Sequence, residues 1–185
     1  MNASDGAARS GPNRILFIRH GELHETPGFN EHGIPNDQSL TVRGWQRAGA
    51  LVRRVCPQNG NRDLVPDVVF ASGVGQDSPS LRPQQTIAPL VEFLHGAGGV
   101  NTCFTFMKHD ADALMADVMR RSGTVLIAWE HSQIAACIAA LPTPPRHPDK
   151  WPDDRYDLIW RLDRDGDGWS FSQGLQSVLS GDEQA

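Results

Sequence analysis

Hydrophobic positions along this chain fall into short unbroken runs separated by longer amphipathic stretches. Ile15 to Ile18, Val68 to Ala71 and Val125 to Trp129 carry no polar interruption, the pattern of strands covered on both faces. Thr41 can cap a following helix in which Trp45, Ala48, Val52 and Val55 share one face. A second helix is predicted from about Pro83 to Leu94, with Pro83 at a first-turn position that needs no N–H. Cys103 to Met107 reads as a short strand, Asp112 to Arg121 as a helix, and Ser132 to Leu141 as another. This alternation predicts an α/β fold of three layers, a largely parallel sheet with helices on both faces.

The pattern changes in the last quarter. Prolines 142, 144, 145, 148 and 152 mark residues 142–155 as an irregular surface crossing. Tyr156, Leu158, Trp160 and Leu162 then alternate with polar or smaller neighbours, and Trp169 to Phe171 follows an Asp/Gly-rich turn, which predicts a C-terminal β-hairpin. The run Asp163-Arg164-Asp165-Gly166-Asp167 imitates the start of a calcium loop. Its twelfth position is Gly174 rather than the bidentate Glu such a loop requires, so no metal is assigned. The expected organisation is a flexible tail over 1–13, one domain over 14–175 and a polar tail over 176–185. A long loop, 22–39, is rich in Gly, Pro, Asn and charge.

Composition narrows the class. A chain of 185 residues suits one hydrophobic core. No apolar run approaches membrane-spanning length, so no membrane partner is expected. Residues 1–13 lack the apolar centre of a signal peptide, and cytoplasmic residence is the expectation. Cys56, Cys103 and Cys137 are odd in number and lack Cys-x-x-Cys spacing, which fits reduced thiols. The net charge of −5 argues against a general nucleic-acid binder. Oligomeric state is not legible.

The candidate chemistry sits where the apolar runs stop. The first run ends in Arg19-His20-Gly21 and the third in Glu130-His131-Ser132. Ligands of open α/β sheets bind outside the carboxyl ends of strands. If these strands are parallel neighbours, both imidazoles face one crevice. Arg82, just before Pro83, falls at a helix N-terminus that already favours an anion. Arg19, His20, Arg82 and His131 together suit a phosphoryl group, since a guanidinium fork holds two oxygens and keeps its proton. Neighbouring guanidiniums would also help keep His20 neutral.

The strand with Arg19-His20-Gly21, then Leu40-Thr41-Val42-Arg43-Gly44, then Arg82-Pro83-Gln84-Gln85-Thr86, then the strand with His131, occur in order over residues 14 to about 140. In this the chain resembles the histidine phosphatase superfamily, which includes the cofactor-dependent phosphoglycerate mutases. The resemblance implies a phosphomonoesterase without metal or cofactor, in which His20 becomes phosphorylated and Arg19, Arg82 and His131 hold the phosphoryl group. It leaves the proton donor open. Ser132 follows the second histidine where the acid phosphatase branch has Asp, and no matching Glu motif follows Arg82. Glu130 is the first candidate, with Glu22 and Asp110 behind it. Leu23 and Thr26 stand where the mutases carry Ser and Asn, which disfavours mutase activity. Gly21, Glu22 and Thr26 are the substrate-side candidates; His24 and His32 are read as solvated, with contact to substrate as the alternative. The expected substrate is a phosphorylated small molecule or a phosphoprotein, including phosphohistidine. Two rivals are a metal hydrolase and a noncatalytic phosphate-binding or regulatory module.

Overall fold

A computed structural model describes residues 11–23 and 27–182. A six-stranded sheet has the order β3-β2-β4-β1-β5-β6. The strands are β1 (Arg14–Arg19), β2 (Val68–Ala71), β3 (Asn101–Cys103), β4 (Thr124–Trp129), β5 (Leu158–Asp165) and β6 (Gly168–Leu175). The pairs β1–β4, β2–β4 and β2–β3 are parallel, whereas β1–β5 and β5–β6 are antiparallel. The helices are α1 (Val42–Val55), α2 (Arg82–Gly96), α3 (Ala111–Val118) and α4 (His131–Ala139).

Each unbroken apolar run is split by the alternation of a strand into two faces. Leu16, Ile18, Val69, Ala71, Leu126 and Ala128 pack with Leu51 and Val55 of α1 and with Ile87, Leu90 and Leu94 of α2. Ile15, Phe17, Phe70, Val125, Ile127 and Trp129 face the other way, onto Leu114 and Val118 of α3 and Ile134 and Ile138 of α4. Continuous hydrophobicity in the sequence is thus the signature of two cores on opposite sides of one sheet. Trp151, Trp160 and Phe171 extend the second core under the hairpin, with ring centroids 4.8 and 5.5 Å apart.

Local signals set the ends of elements. Thr41 caps α1 by accepting from the Gly44 N–H at 3.1 Å, worth about 1 kcal/mol. In the hairpin, Asp165 pairs with Gly168 across a two-residue turn in which Gly166 has φ +57°, a conformation that favours glycine.

Three expectations are corrected. The short strand lies at Asn101–Cys103 and not at 103–107, because only the three residues beside Val68 to Phe70 find a partner in the sheet. The third helix begins at Ala111 and ends at Val118. Residues 176–182 are not a free polar tail. Gln176 is fully buried and donates to the carbonyls of Tyr156 and Leu158 at 3.0 and 3.1 Å. Asp182 pairs with the buried Arg47 at 2.7 Å. No helix among the described residues is long and apolar enough to cross a membrane.

Candidate active site

Parallel pairing brings the predicted residues together at one end of the sheet. The register Arg19↔Trp129 sets the end of β1 level with the end of β4, and the His20 N–H continues the ladder to the Trp129 carbonyl at 3.2 Å. His20 therefore lies beside Glu130 and His131, which open α4. Arg82 is the first residue of α2. His20, Arg82, Glu130 and His131 line one cleft of about 200 Å³ together with Leu23, Lys108 and a serine cluster.

His20 is 3% exposed. Its Nδ1 lies 2.8 Å from the Gly21 carbonyl, which can only accept, so the proton is on Nδ1 and the lone pair is on Nε2. Nε2 has no hydrogen-bond partner among the described residues and is not sealed from the cleft. Burial is the main reason its pKa falls to about 4, and the positive charges of Arg19 and Arg82 add to it. The sequence-based expectation credited the guanidiniums; desolvation is the larger cause. The imidazole is neutral at pH 7 with its nucleophilic nitrogen unengaged.

Gly21 serves the fold at this point. Its N–H donates to Thr86 Oγ1 at 2.8 Å. A Cβ there would meet Gly44 Cα and Leu40 Cδ2 at 3.1 Å, tighter than carbon atoms pack comfortably. Two of the ordered sequence motifs are thus the two sides of one backbone contact.

The arginines differ in placement. Arg82 donates from Nε to the Ser39 carbonyl at 3.2 Å, from one terminal nitrogen to Ser80 Oγ at 3.3 Å, and from the other to the Asp37 carbonyl. Arg19 is 2% exposed and lies under the 151–157 segment. It donates to the Asp153 carbonyl at 2.5 Å and to the Tyr156 hydroxyl at 3.0 Å, with the Tyr156 ring stacked 3.8 Å from its guanidinium carbon. Its Nε has no partner. Burial lowers the pKa of both arginines, yet from so high a starting point both stay charged.

His131 stands at the rim. Its Nε2 is 3.4 Å from Asp153 Oδ1, and its Nδ1 is buried without a partner. Burial, then the charge of Arg19, lower its pKa, so it too is neutral near pH 7. Glu130 accepts from Ser132 Oγ at 2.7 Å and faces Lys108 Nζ at 3.5 Å. Burial raises its pKa, but that hydrogen bond and the charges of Lys108 and His131 outweigh it and hold the carboxyl below its ordinary range. An ionised carboxylate is the wrong form for protonating a leaving group.

Glu22 does not face the cleft. It pairs with Arg47 at 2.8 Å and with Arg43 at 3.3 Å. Asp110 accepts from the Met107 N–H at 2.8 Å and closes a turn. Thr26 and His24 lie outside the described residues.

Sequence reasoning missed several contributors. Lys108 carries no local signal, since a lone lysine beyond a three-residue strand has no pattern that ties it to the strand ends. Tyr156 fits the alternating pattern of a strand, and nothing in the proline-rich crossing signals that 151–157 returns to cover Arg19. Among the described residues no group of three His, Cys, Asp or Glu side chains is placed to hold a metal ion.

No family model matches the chain, and no curated protein matches its sequence. Solved structures do match. A candidate alpha-ribazole-5′-P phosphatase from Escherichia coli str. K-12 substr. MG1655 superposes with a TM-score of 0.52 at 13% identity, over 90% of this chain and 98% of that one. A candidate phosphohistidine phosphatase, SixA from Agrobacterium tumefaciens, gives 0.46 at 14% identity, over 89% and 97%. The product of the open reading frame Rv3214 from Mycobacterium tuberculosis gives 0.49 at 15% identity, over 90% and 98%. The first of these, with the strand order above, establishes the fold as phosphoglycerate mutase-like.

Proposed function

We propose that this chain is a phosphoric monoester hydrolase that works through a phosphohistidine on His20 and needs no metal. The observation that carries the reading is the locked tautomer: Nδ1–H is spent on the Gly21 carbonyl, and Nε2 is left bare in the cleft. A neutral imidazole so presented attacks phosphorus, and the phosphohistidine it forms is open to water. In this reading Arg82 supplies fixed positive charge, and His131, whose ring lines the cleft, donates to a nonbridging oxygen. Phosphoryl transfer asks for such positioning and charge stabilisation more than for covalent chemistry. Arg19 does not line the cleft and contributes its positive charge near His20. Glu130 enters this reading as a fixed anion at the rim and not as the acid. The substrate class is a phosphorylated small molecule or a phosphorylated protein side chain.

The test is His20→Asn, which keeps a donor for the Gly21 carbonyl and removes the nucleophile. Turnover of p-nitrophenyl phosphate and acid-labile labelling of the protein should both vanish while the melting curve stays near wild type. Unimpaired turnover in the folded variant rejects the reading, and so does loss of turnover on exhaustive chelation of metal from the wild type. A second reading, a noncatalytic phosphate-binding module, draws on the carboxylate of Asp153 facing His131. Oxyanion binding with no turnover of any phosphomonoester would establish it.

A further inference from the structure

A phosphatase acting through His20, the reading on which this inference rests, still lacks a proton donor for the leaving oxygen. Glu22 is spent on Arg47 and Arg43, Asp110 closes its own turn, and Glu130 accepts from Ser132. Lys108 lines the same cleft as His20 and Arg82. We propose that Lys108 is the acid–base residue of this site.

Its backbone is held for the purpose. Lys108 sits in a turn closed by the Asp110 N–H to the Met107 carbonyl at 3.0 Å and by the Met107 N–H to Asp110 Oδ2 at 2.8 Å. The Lys108 carbonyl accepts from the indole of Trp129, the last residue of β4, at 3.1 Å. On the other side, the Gly73 N–H after β2 donates to the Phe106 carbonyl at 2.7 Å. The lysine is thereby pinned to the ends of β4 and β2, two of the strands whose ends meet at the cleft. Its side chain is 29% exposed, and Glu130 Oε2, 3.5 Å away, is its ion-pair partner. An ammonium has three donor protons, so one can serve Glu130 while another faces the leaving group. Arg82 cannot do this, because a guanidinium does not release its proton.

The steps balance. In the first, the His20 Nε2–P bond forms as the P–O bond to the leaving group breaks, and an Nζ proton of Lys108 passes to the leaving oxygen. The products are a free alcohol, phosphohistidine and a neutral amine. In the second, the oxygen of water bonds to phosphorus as the Nε2–P bond breaks, and a water proton goes to Lys108. Hydrogen phosphate departs, the lone pair returns to Nε2, and the ammonium is restored beside Glu130. The ion pair with the carboxylate holds the amine at the cleft, which gives Glu130 a positioning role.

Two variants separate proton transfer from charge. Lys108→Met keeps the aliphatic stem and removes the amine, whereas Lys108→Arg keeps the charge without a transferable proton. With β-glycerophosphate, both should lose roughly 10²–10⁴-fold in turnover, the range of general acid catalysis. With p-nitrophenyl phosphate, whose leaving group needs no proton, both should lose less than about tenfold. Equal losses on the two substrates with rescue by Arg would overturn the proposal in favour of a phosphate contact, and no loss on either would overturn it outright. A third measurement needs no variant. Across a series of aryl phosphates, wild-type kcat/KM should vary little with leaving-group pKa, and a steep dependence would overturn the proposal. So would wild-type protein that cleaves p-nitrophenyl phosphate but no alkyl phosphate. Absence of wild-type turnover on every ester, by contrast, is failure of the phosphatase reading itself.

Discussion

Arg19 and Arg47 are the same residue type and equally buried, each 2% exposed, yet they are built for opposite ends. Arg47 is surrounded by carboxylates. It donates to both oxygens of Glu22, at 2.8–3.1 Å, and to both oxygens of Asp182, at 2.7 and 3.0 Å. Burial works against its charge, but those pairs prevail and raise its pKa. Arg19 meets two carbonyls and a phenol, and one nitrogen is left over. Carbonyls satisfy hydrogen bonds without cancelling charge; carboxylates do both. Burial therefore dominates at Arg19 and lowers its pKa. Arg82, held by the carbonyls of Ser39 and Asp37, follows the pattern of Arg19. Under the proposed function Arg82, whose partners are carbonyls and a hydroxyl rather than carboxylates, is the cation left for an anion. A cation enclosed by carboxylates is a rivet of the fold.

The largest expected effect is on the rivet. Arg47→Ala leaves Asp182 without its counter-charge and Glu22 with only the half-exposed Arg43, and breaking a buried pair this way costs about 3–5 kcal/mol. Chemical denaturation measures it, and a cost below about 1 kcal/mol would erase the distinction. The same pair shapes the acid limb of stability. Burial raises the Asp182 carboxyl, but hydrogen bonds from Arg47 and from the backbone of Val178 and Leu179 bring it down to about 2. A depressed carboxyl stabilises the fold above its unfolded value near 3.9, and that contribution is lost as pH falls through the window from about 4 to 2. In Arg47→Ala that limb should flatten.

A smaller effect is expected where charge has been left uncancelled. Arg82→Ala should weaken vanadate or tungstate binding by about 1.5–3 kcal/mol, the loss of one charge-assisted contact, while the unfolding midpoint moves little. Calorimetric titration checks it. Unchanged oxyanion affinity would place Arg82 among the rivets.

The smallest effect concerns Asp153, a carboxylate that faces His131 from outside the cleft lining. The Asp153 side chain is 76% exposed and lies 3.4 Å from His131 Nε2. Asp153→Asn should tighten oxyanion binding by only about 0.2–1 kcal/mol, the range of solvent-screened pairs. A gain well beyond this would make Asp153 an occupant of the anion site rather than a rim charge, and weakened binding would show it to support His131.

The legible parts of this molecule were those whose cause is local. The three apolar runs, the Thr41 cap, Pro83 opening α2 and the Asp/Gly turn of the hairpin each follow from a few neighbouring residues. The nucleophile and phosphate candidates were legible because strands end in them, and parallel pairing put those ends side by side. β3 was shifted because a strand of three mostly exposed residues carries almost no pattern, and its position comes from the partner, β2.

What the sequence determined by itself is a two-faced sheet with Arg19-His20 and His131 at strand ends, since side-chain periodicity and turn chemistry act over a few residues. Only the tertiary structure decided which arginine is cancelled and which is kept, because the difference lies in partners 25 to 137 positions away along the chain, such as Glu22 and Asp182 for Arg47 and the 153–156 segment for Arg19. It also decided which nitrogen of His20 is free, and that Lys108 shares its cleft. Charge and hydrogen bonding are settled by neighbours in space, and for these residues the neighbours arrive only when the chain has folded.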